Sequence, residues 1–420
     1  MIFSLDVCRA RKGDCLLLHY GTKADPGLVM IDGGPSLVYS PQLKPRLAEI
    51  RKARKLESSA SLPVDLLMVS HIDDDHIKGI LDLSKELVDA KQSHQPLPVT
   101  VRSLWHNSFD DVVGNDPQEL VAAVKASFGA ASLSDDINVE GLEPEAAKVL
   151  ASVDQGVRLR DDATVLGWPL RPEFGGKLVQ ATATTKPLDL GKGLTITAAG
   201  PMRPELEKLQ KAYADFLKRR KAGKKADAAL AAFTDTSVPN LSSLVLLAEA
   251  GNRRILLTGD ARGDKILEGL ELVGLLTKGG KMHVDVFKMP HHGSDRNIDP
   301  VLFRRVTADH YVFSGNGEYG NPERETLQML FDERGNEKFT IHLTYPITEI
   351  DVERRKDWEK HRAGEVASKK KNPKAVVRDE WSPEKHGLQA FFAAHTNFAK
   401  KVNVVDTKGH VIDLIEPLGF

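Results

Sequence analysis

The chain has 420 residues, 41% of them apolar, which suits one large decorated domain or two ordinary ones and excludes bulk disorder. A formal net charge of −1 excludes a protein coated in basic charge for nucleic acid and leaves only local patches for that role. Two cysteines, Cys8 and Cys15, cannot staple so long a chain; they read as small core residues in a reducing compartment. Met1 to Val7 lacks the basic flank and apolar region of a secretory signal. No apolar run approaches the roughly 18 residues that cross a bilayer. A soluble, cytoplasmic protein without membrane contact is expected.

In chain order, Phe3 to Val7, Cys15 to Tyr20 and Leu28 to Ile31 read as strands, the last running into the tight turn Asp32-Gly33-Gly34. Leu43, Leu47 and Ile50 recur at helical spacing over 41–55. Val64 to Ser70 is a continuous apolar strand of the doubly buried kind, and Ile77, Ile80, Leu81 and Leu87 make the following segment helical. Residues 107–185 lose the pattern, mix short helical stretches (Glu119 to Phe128, Glu143 to Val153) with polar loops and read as an insertion. Strand character returns at Leu194 to Ala198, and a basic helical insertion is expected over 204–233. A hairpin at Ser243 to Ala248 and Arg254 to Leu257 turns at Gly251-Asn252 and ends in Thr258-Gly259-Asp260. Helix 263–276, strand Val284 to Lys288, strand Tyr311 to Ser314, a helix near 323–334 and strand Lys338 to Leu343 follow. A charged helical insertion over 351–395 precedes a closing hairpin at Val402 to Val405 and His410 to Leu414. Alternating strands and helices imply an α/β architecture in a single domain spanning 1–420.

The chemistry concentrates after the strand ending at Ser70. His71-Ile72-Asp73-Asp74-Asp75-His76 packs ligand-type side chains at a strand end that opens a helix. In an extended turn alternate residues face one way, so His71 and Asp73 reach one ion while Asp75 and His76 turn toward another. Imidazole suits zinc; carboxylate also suits manganese or magnesium. Aspartates before a helix also serve as N-caps, which is the competing reading. Asp260 and the pair His291-His292 end other strands, and ligands of α/β sheets gather at such ends.

These features resemble the metallo-β-lactamase superfamily, and within it the nuclease-like domain of ComEC-type DNA-uptake proteins. The resemblance is carried in order by Gly13-Asp14-Cys15, Ile31-Asp32-Gly33-Gly34, the His71 to His76 block and Asn240-x-x-Ser243-Leu244-Val245-Leu246. Leu257-Thr258-Gly259-Asp260, Phe287 to Ser294 and Tyr319-Gly320-Asn321-Pro322 continue it. It implies an αββα sandwich with two divalent ions, zinc or manganese, in a cleft along one edge. One ion would take His71 and Asp73. The other would take Asp75, His76 and a histidine of the His291-His292 pair, with Asp260 bridging. The wider superfamily carries His where Asp73 stands and its third-motif histidine falls near Asn240, while the ComEC-like pattern has His at Asn321. The donor set here is correspondingly richer in oxygen.

Two divalent ions about 4 Å apart lower the pKa of a bridging water and supply hydroxide at neutral pH. A metal-dependent phosphodiesterase or nuclease is expected, with Asp75, Asp260 and Lys288 in catalytic roles, Lys288 as a contact for substrate phosphate. Lys208, Lys211, Lys218, Arg219, Arg220, Lys221, Lys224 and Lys225 in one insertion could follow a nucleic-acid backbone, as could Lys369, Lys370, Lys371 and Lys374 in another. The competing readings are a hydrolase of small esters, lactones or thioesters, and a metal-stabilised module that binds a protein partner without turnover.

Overall fold

The computed structural model describes residues 1–71, 73–108, 111–112, 144–208, 210–211, 242–406 and 410–420, and of 144–154 the backbone alone. The short apolar runs pair into two mixed sheets. The first is six-stranded in the order β16 (His410–Asp413), β1 (Ile2–Val7), β2 (Leu16–Gly21), β3 (Pro26–Ile31), β5 (Leu66–Met68) and β7 (Leu104–Trp105). The second is eight-stranded: β15 (Val402–Val404), β14 (Thr340–Leu343), β13 (Val306–Phe313), β12 (Met282–Lys288), β11 (Arg253–Leu257), β10 (Val245–Ala250), β9 (Leu194–Gly200) and β8 (Leu188–Gly191). A separate parallel pair joins β4 (Leu62–Val64) to β6 (Val99–Val101).

Three apolar clusters define the layers. Leu5, Leu18, Val29, Ile31 and Met68 of the first sheet meet Ile196, Leu246, Ile255, Leu257 and Val286 of the second, so the sheets pack face to face. The first sheet's outer face is covered by helices Lys44–Ala53 and Asp74–Gln92 through Leu47, Ile50, Ile77, Ile80 and Leu87. The second sheet's outer face meets Ile266 and Leu270 of helix Gly263–Leu272, Leu327 and Leu330 of helix Arg324–Arg334, and Phe391. Each fully buried Leu or Ile contributes roughly 2 kcal/mol. The result is an α/β sandwich with helices outside both sheets. Cys8 and Cys15 are buried in it as free thiols.

The segment at 402–414 departs from the sequence expectation. Its two strands do not form a hairpin: β15 runs parallel to β14 in the second sheet, whereas β16 pairs antiparallel with β1 in the first. The bare edges of two sheets offered more hydrogen-bond partners than two short strands offer each other. Within 107–185, helix Pro144–Leu166 is described, and the stretch expected over 119–128 lies outside the described residues. Of the basic stretch 204–233, only residues to 211 are described, with 209 excepted. Residues 351–395 contain most of helix Ile347–Lys371 and also helix Leu388–Ala394, whose Leu388, Phe391 and Phe392 join the core. Among the described residues no helix is long and apolar enough to cross a membrane.

Candidate metal centre

One edge of the sandwich collects the polar ends of its strands. Asp32 follows β3, His71 follows β5, Asp260 follows β11, His291 and His292 follow β12, and Ser314 follows β13. Asp14 and Ser243 precede β2 and β10, antiparallel neighbours whose starts lie at that same edge. Two close backbone approaches hold the loops there. A Cβ on Gly13 would sit 1.9 Å from the Asp75 carbonyl oxygen, and one on Gly79 would sit 2.0 Å from that of Gly33. Only glycine permits these contacts, which press the Asp14 and Asp32 loops onto the first turns of helix Asp74–Gln92.

His76 and His292 both face Asp260. His76 Nδ1 lies 2.9 Å from Asp32 Oδ2, and Asp32 also accepts from the backbone N–H and hydroxyl of Ser70. A carboxylate only accepts, so it fixes the His76 proton on Nδ1 and turns Nε2 inward as a lone pair. That Nε2 is 3.1 Å from Asp260 Oδ1. His292 is held alike: its Nδ1 is 3.1 Å from Ser314 Oγ, whose own proton goes to Asp14 Oδ1, leaving the hydroxyl to accept. His292 Nε2 then stands 3.5 Å from Asp260 Oδ1 and 3.7 Å from Asp75 Oδ2.

A second group is formed by His71, Asp73 and His291. His71 Nδ1 is 3.1 Å from Ser243 Oγ, which also accepts from the backbone N–H of Asp260, and its Nε2 faces Asp73 Oδ2 at 3.4 Å. Asp73 occupies the N-cap position of the helix, yet its side chain makes no capping bond. The capping alternative therefore fails at this residue. His291 Nε2 lies 3.7 Å from Asp260 Oδ2.

Electrostatics follow from this packing. Burial pushes the His76 imidazolium toward losing its proton, but the Asp260 and Asp32 carboxylates outweigh burial and hold its pKa well above the usual value. Burial likewise opposes a charged His71, and Asp73 and Asp260 reverse the balance. Asp260 is disfavoured as an anion by burial, yet His76, His291 and His292 hold its pKa well below the carboxylate range. Asp14 is also held low: burial raises it, and Lys288 and His292 overcome that. A bare imidazole lone pair beside a carboxylate is repulsive, so a proton or a metal cation must sit between His76 and Asp260.

The residues fit a divalent ion. Asp14, His76, Asp260 and His292 each bring a donor atom within 4.8 Å of the others. Zinc bonds of about 2.0–2.2 Å would put tetrahedral ligands roughly 3.4 Å apart, and the contacts among Asp75, His76, Asp260 and His292 run from 3.1 to 3.7 Å. His71 Nε2, His76 Nε2, Asp260 Oδ1 and His292 Nε2 are buried with no hydrogen-bond partner. Leaving a buried polar atom unsatisfied costs about 1–3 kcal/mol, so this grouping is costly without an ion. Asp14 is the weaker ligand candidate of the two carboxylates, because Lys288 Nζ at 2.7 Å and Ser314 occupy its oxygens.

The structure thus brings His71, Asp73, Asp75, His76, Asp260, His291 and His292 to one edge of the sandwich. Lys288, expected to meet a substrate phosphate, is 1% exposed; its ammonium contacts Asp14 and donates to the Met289 carbonyl oxygen. Asn240 lies outside the described residues. Asn321 is buried, and its Oδ1 has no hydrogen-bond partner. Sequence reasoning passed over the supporting groups Ser70, Ser314 and Asn297, whose Oδ1 lies 2.9 Å from His291 Nδ1; none carries a signal of its own. Asp14, Asp32 and Ser243 were legible only as motif positions. No family model matches the chain, and no curated protein matches it in sequence.

Proposed function

We propose that the chain is a metal-dependent hydrolase of the metallo-β-lactamase type that cleaves phosphodiesters in nucleic acid. The observation that carries the reading is the convergence of anchored histidines: acceptors tether the Nδ1 atoms of His76 and His292 and leave both Nε2 atoms facing Asp260. Asp75, His76, Asp260 and His292 would hold the better-formed ion position. The chemistry that a divalent ion held there would supply is acidification of water and neutralisation of charge growing on a phosphoryl or carbonyl oxygen. Asp32 and Ser314 fix the two imidazoles, and Asp14 does so through Ser314. Lys288 balances the buried Asp14 charge, acting through it and not on substrate. The carboxylate-rich donor set suits zinc and also harder ions such as manganese. Exposed Lys208, Lys211, Lys369, Lys370, Lys371 and Lys374 favour a polyanionic substrate.

Incubation of the purified chain with zinc or manganese and mixed DNA and RNA tests this. Cleavage that disappears in Asp75→Ala and His76→Ala is expected. Absent cleavage, or cleavage unchanged in those variants, overturns it. Faster turnover of lactones or thioesters than of bis-p-nitrophenyl phosphate would keep the hydrolase and replace the substrate class. Full metal occupancy with no turnover of any substrate would point to a partner-binding module.

A further inference from the structure

We propose that Lys12, steadied on the ring of Tyr319, is the contact for a substrate phosphate, the role that the buried Lys288 cannot fill. This contact rests on the phosphodiesterase reading above and names the side chain that grips its substrate.

Two loops carry the pair, and both are fastened to the edge that holds the histidines. Lys12 lies between β1 and β2, immediately before Gly13 and Asp14. Gly13 packs against the Asp75 carbonyl oxygen, and the Asp14 N–H donates to that same oxygen at 3.3 Å. Tyr319 lies in the turn Glu318–Gly320. Just beyond it, the Glu323 N–H donates to the Gly293 carbonyl oxygen at 3.1 Å. A Cβ on Gly293 would come within 3.2 Å of Pro322. Gly293 directly follows His291 and His292. Lys12 and Tyr319 therefore join the loop beside Asp75 to the loop beside His292.

The pair is a cation with donors to spare. Lys12 Nζ donates to the Tyr319 hydroxyl at 3.2 Å and stands 4.7 Å from the ring centroid. An ammonium carries three donors, and this hydroxyl takes one. Among the described residues no carboxylate forms an ion pair with Lys12. The neighbouring acid, Glu318, instead accepts from Arg11 Nη2 and Asn316 Nδ2, each at 2.8 Å. An aromatic ring attracts a cation without neutralising its charge. Tyr319 is 46% exposed and adopts a left-handed φ of 57°, so neither burial nor backbone preference favours a bulky ring there. Holding Lys12 gives the ring a task. A phosphodiester carries a full negative charge that a carboxylic ester lacks, so Lys12 separates the two substrate classes.

Steady-state hydrolysis of bis-p-nitrophenyl phosphate and of uncharged p-nitrophenyl acetate by the metal-loaded full chain tests this; thermal melting checks that each variant folds. Lys12→Gln should raise KM for the phosphodiester about tenfold, with kcat and the ester kinetics unchanged. Tyr319→Leu should raise the same KM about threefold. Lys278→Gln, at an exposed position ahead of β12 and away from the histidines, should change nothing. For a single-stranded DNA oligonucleotide, Lys12→Gln should lower the slope of log affinity against log salt by about 0.7. An unchanged KM and salt slope in Lys12→Gln would overturn the contact and leave the hydrolase reading standing. An equal rise in KM for the ester would mean lost shape instead of lost charge, and would overturn it too. A wild type that turns over the ester but no phosphodiester would remove the phosphodiesterase reading and the contact together.

Discussion

Histidines cluster twice in this molecule, and the clusters are built differently. At the sandwich edge, His76 and His292 are each tethered through Nδ1 by an acceptor and present Nε2 to a shared carboxylate. Elsewhere His310 of β13, His342 of β14 and His410 of β16 form a row across the seam between the sheets. His310 Nδ1 meets His342 Nε2 at 3.0 Å, and His342 Nδ1 meets His410 Nε2 at 3.0 Å. The rings are spaced alike in both places: 5.0 and 5.1 Å in the row, 5.3 Å between His76 and His292. What differs is where the lone pairs go. In the row they are spent on neighbouring imidazoles, while Asp309 and Asp285 act on His310, and Asp6 and Asp406 on His410, through their charge. Proximity of histidines is therefore not enough; acceptors behind the rings free Nε2 atoms that could hold a metal.

The strongest way to break that contrast is to remove a ring from each cluster. His292→Ala should lower zinc affinity by more than the 10–100-fold typical of losing a supporting partner, roughly 1000-fold. His342→Ala should leave zinc binding unchanged. Loss of zinc in the second variant would erase the distinction, and titration against a chelator decides it.

A smaller effect concerns the charge that supports the cleft. Lys288→Met strands the buried Asp14 carboxylate and should destabilise the fold by about 3–5 kcal/mol in chemical denaturation. Adding Asp14→Asn should recover part of that loss. A single variant as stable as the wild type would mean that the pair does little.

The row predicts a pH dependence of its own. Burial, with His310 and His410 alongside, depresses the pKa of His342 from the ordinary 6.5 to about 3. The unfolded chain thus binds a proton there first as pH falls. The neutral ring's contribution to stability is fully present above pH 6.5 and is lost as pH drops toward 3. The slope from this one group approaches about 1.4 kcal/mol per pH unit. Denaturation midpoints measured between neutrality and pH 4.5 should fall less steeply in His342→Gln; equal slopes would contradict the assignment.

The smallest effect is expected at Ser243, which steadies His71 and the Asp260 backbone together. Ser243→Ala should cost about 1 kcal/mol of stability and about tenfold in zinc affinity. An unchanged titration curve would show that His71 needs no such support.

How far the sequence reached differs between the same two regions. The site was legible because ligand-type residues are rare at strand ends and five of them fall from His71 to His76. Strands β1 to β3 and the β10–β11 hairpin were legible too, since apolar runs and turn residues are local signals. The groups behind the rings were not, because Ser314 and Asn297 become acceptors only once distant strands align. The burial of Lys288 was hidden for the same reason, its partner Asp14 lying far back in the chain. The histidine row also escaped, and so did the parting of β15 and β16 into different sheets. Both depend on which sheet edge stands open, which no short window records.

Zinc content of the dialysed full-length protein beside Asp260→Ala tests the central claim most directly. Asp260 touches His76, His291 and His292 at once. The wild type should retain at least one equivalent and the folded variant essentially none. A folded variant that keeps the wild-type content, or a wild type that binds no zinc, would contradict the account.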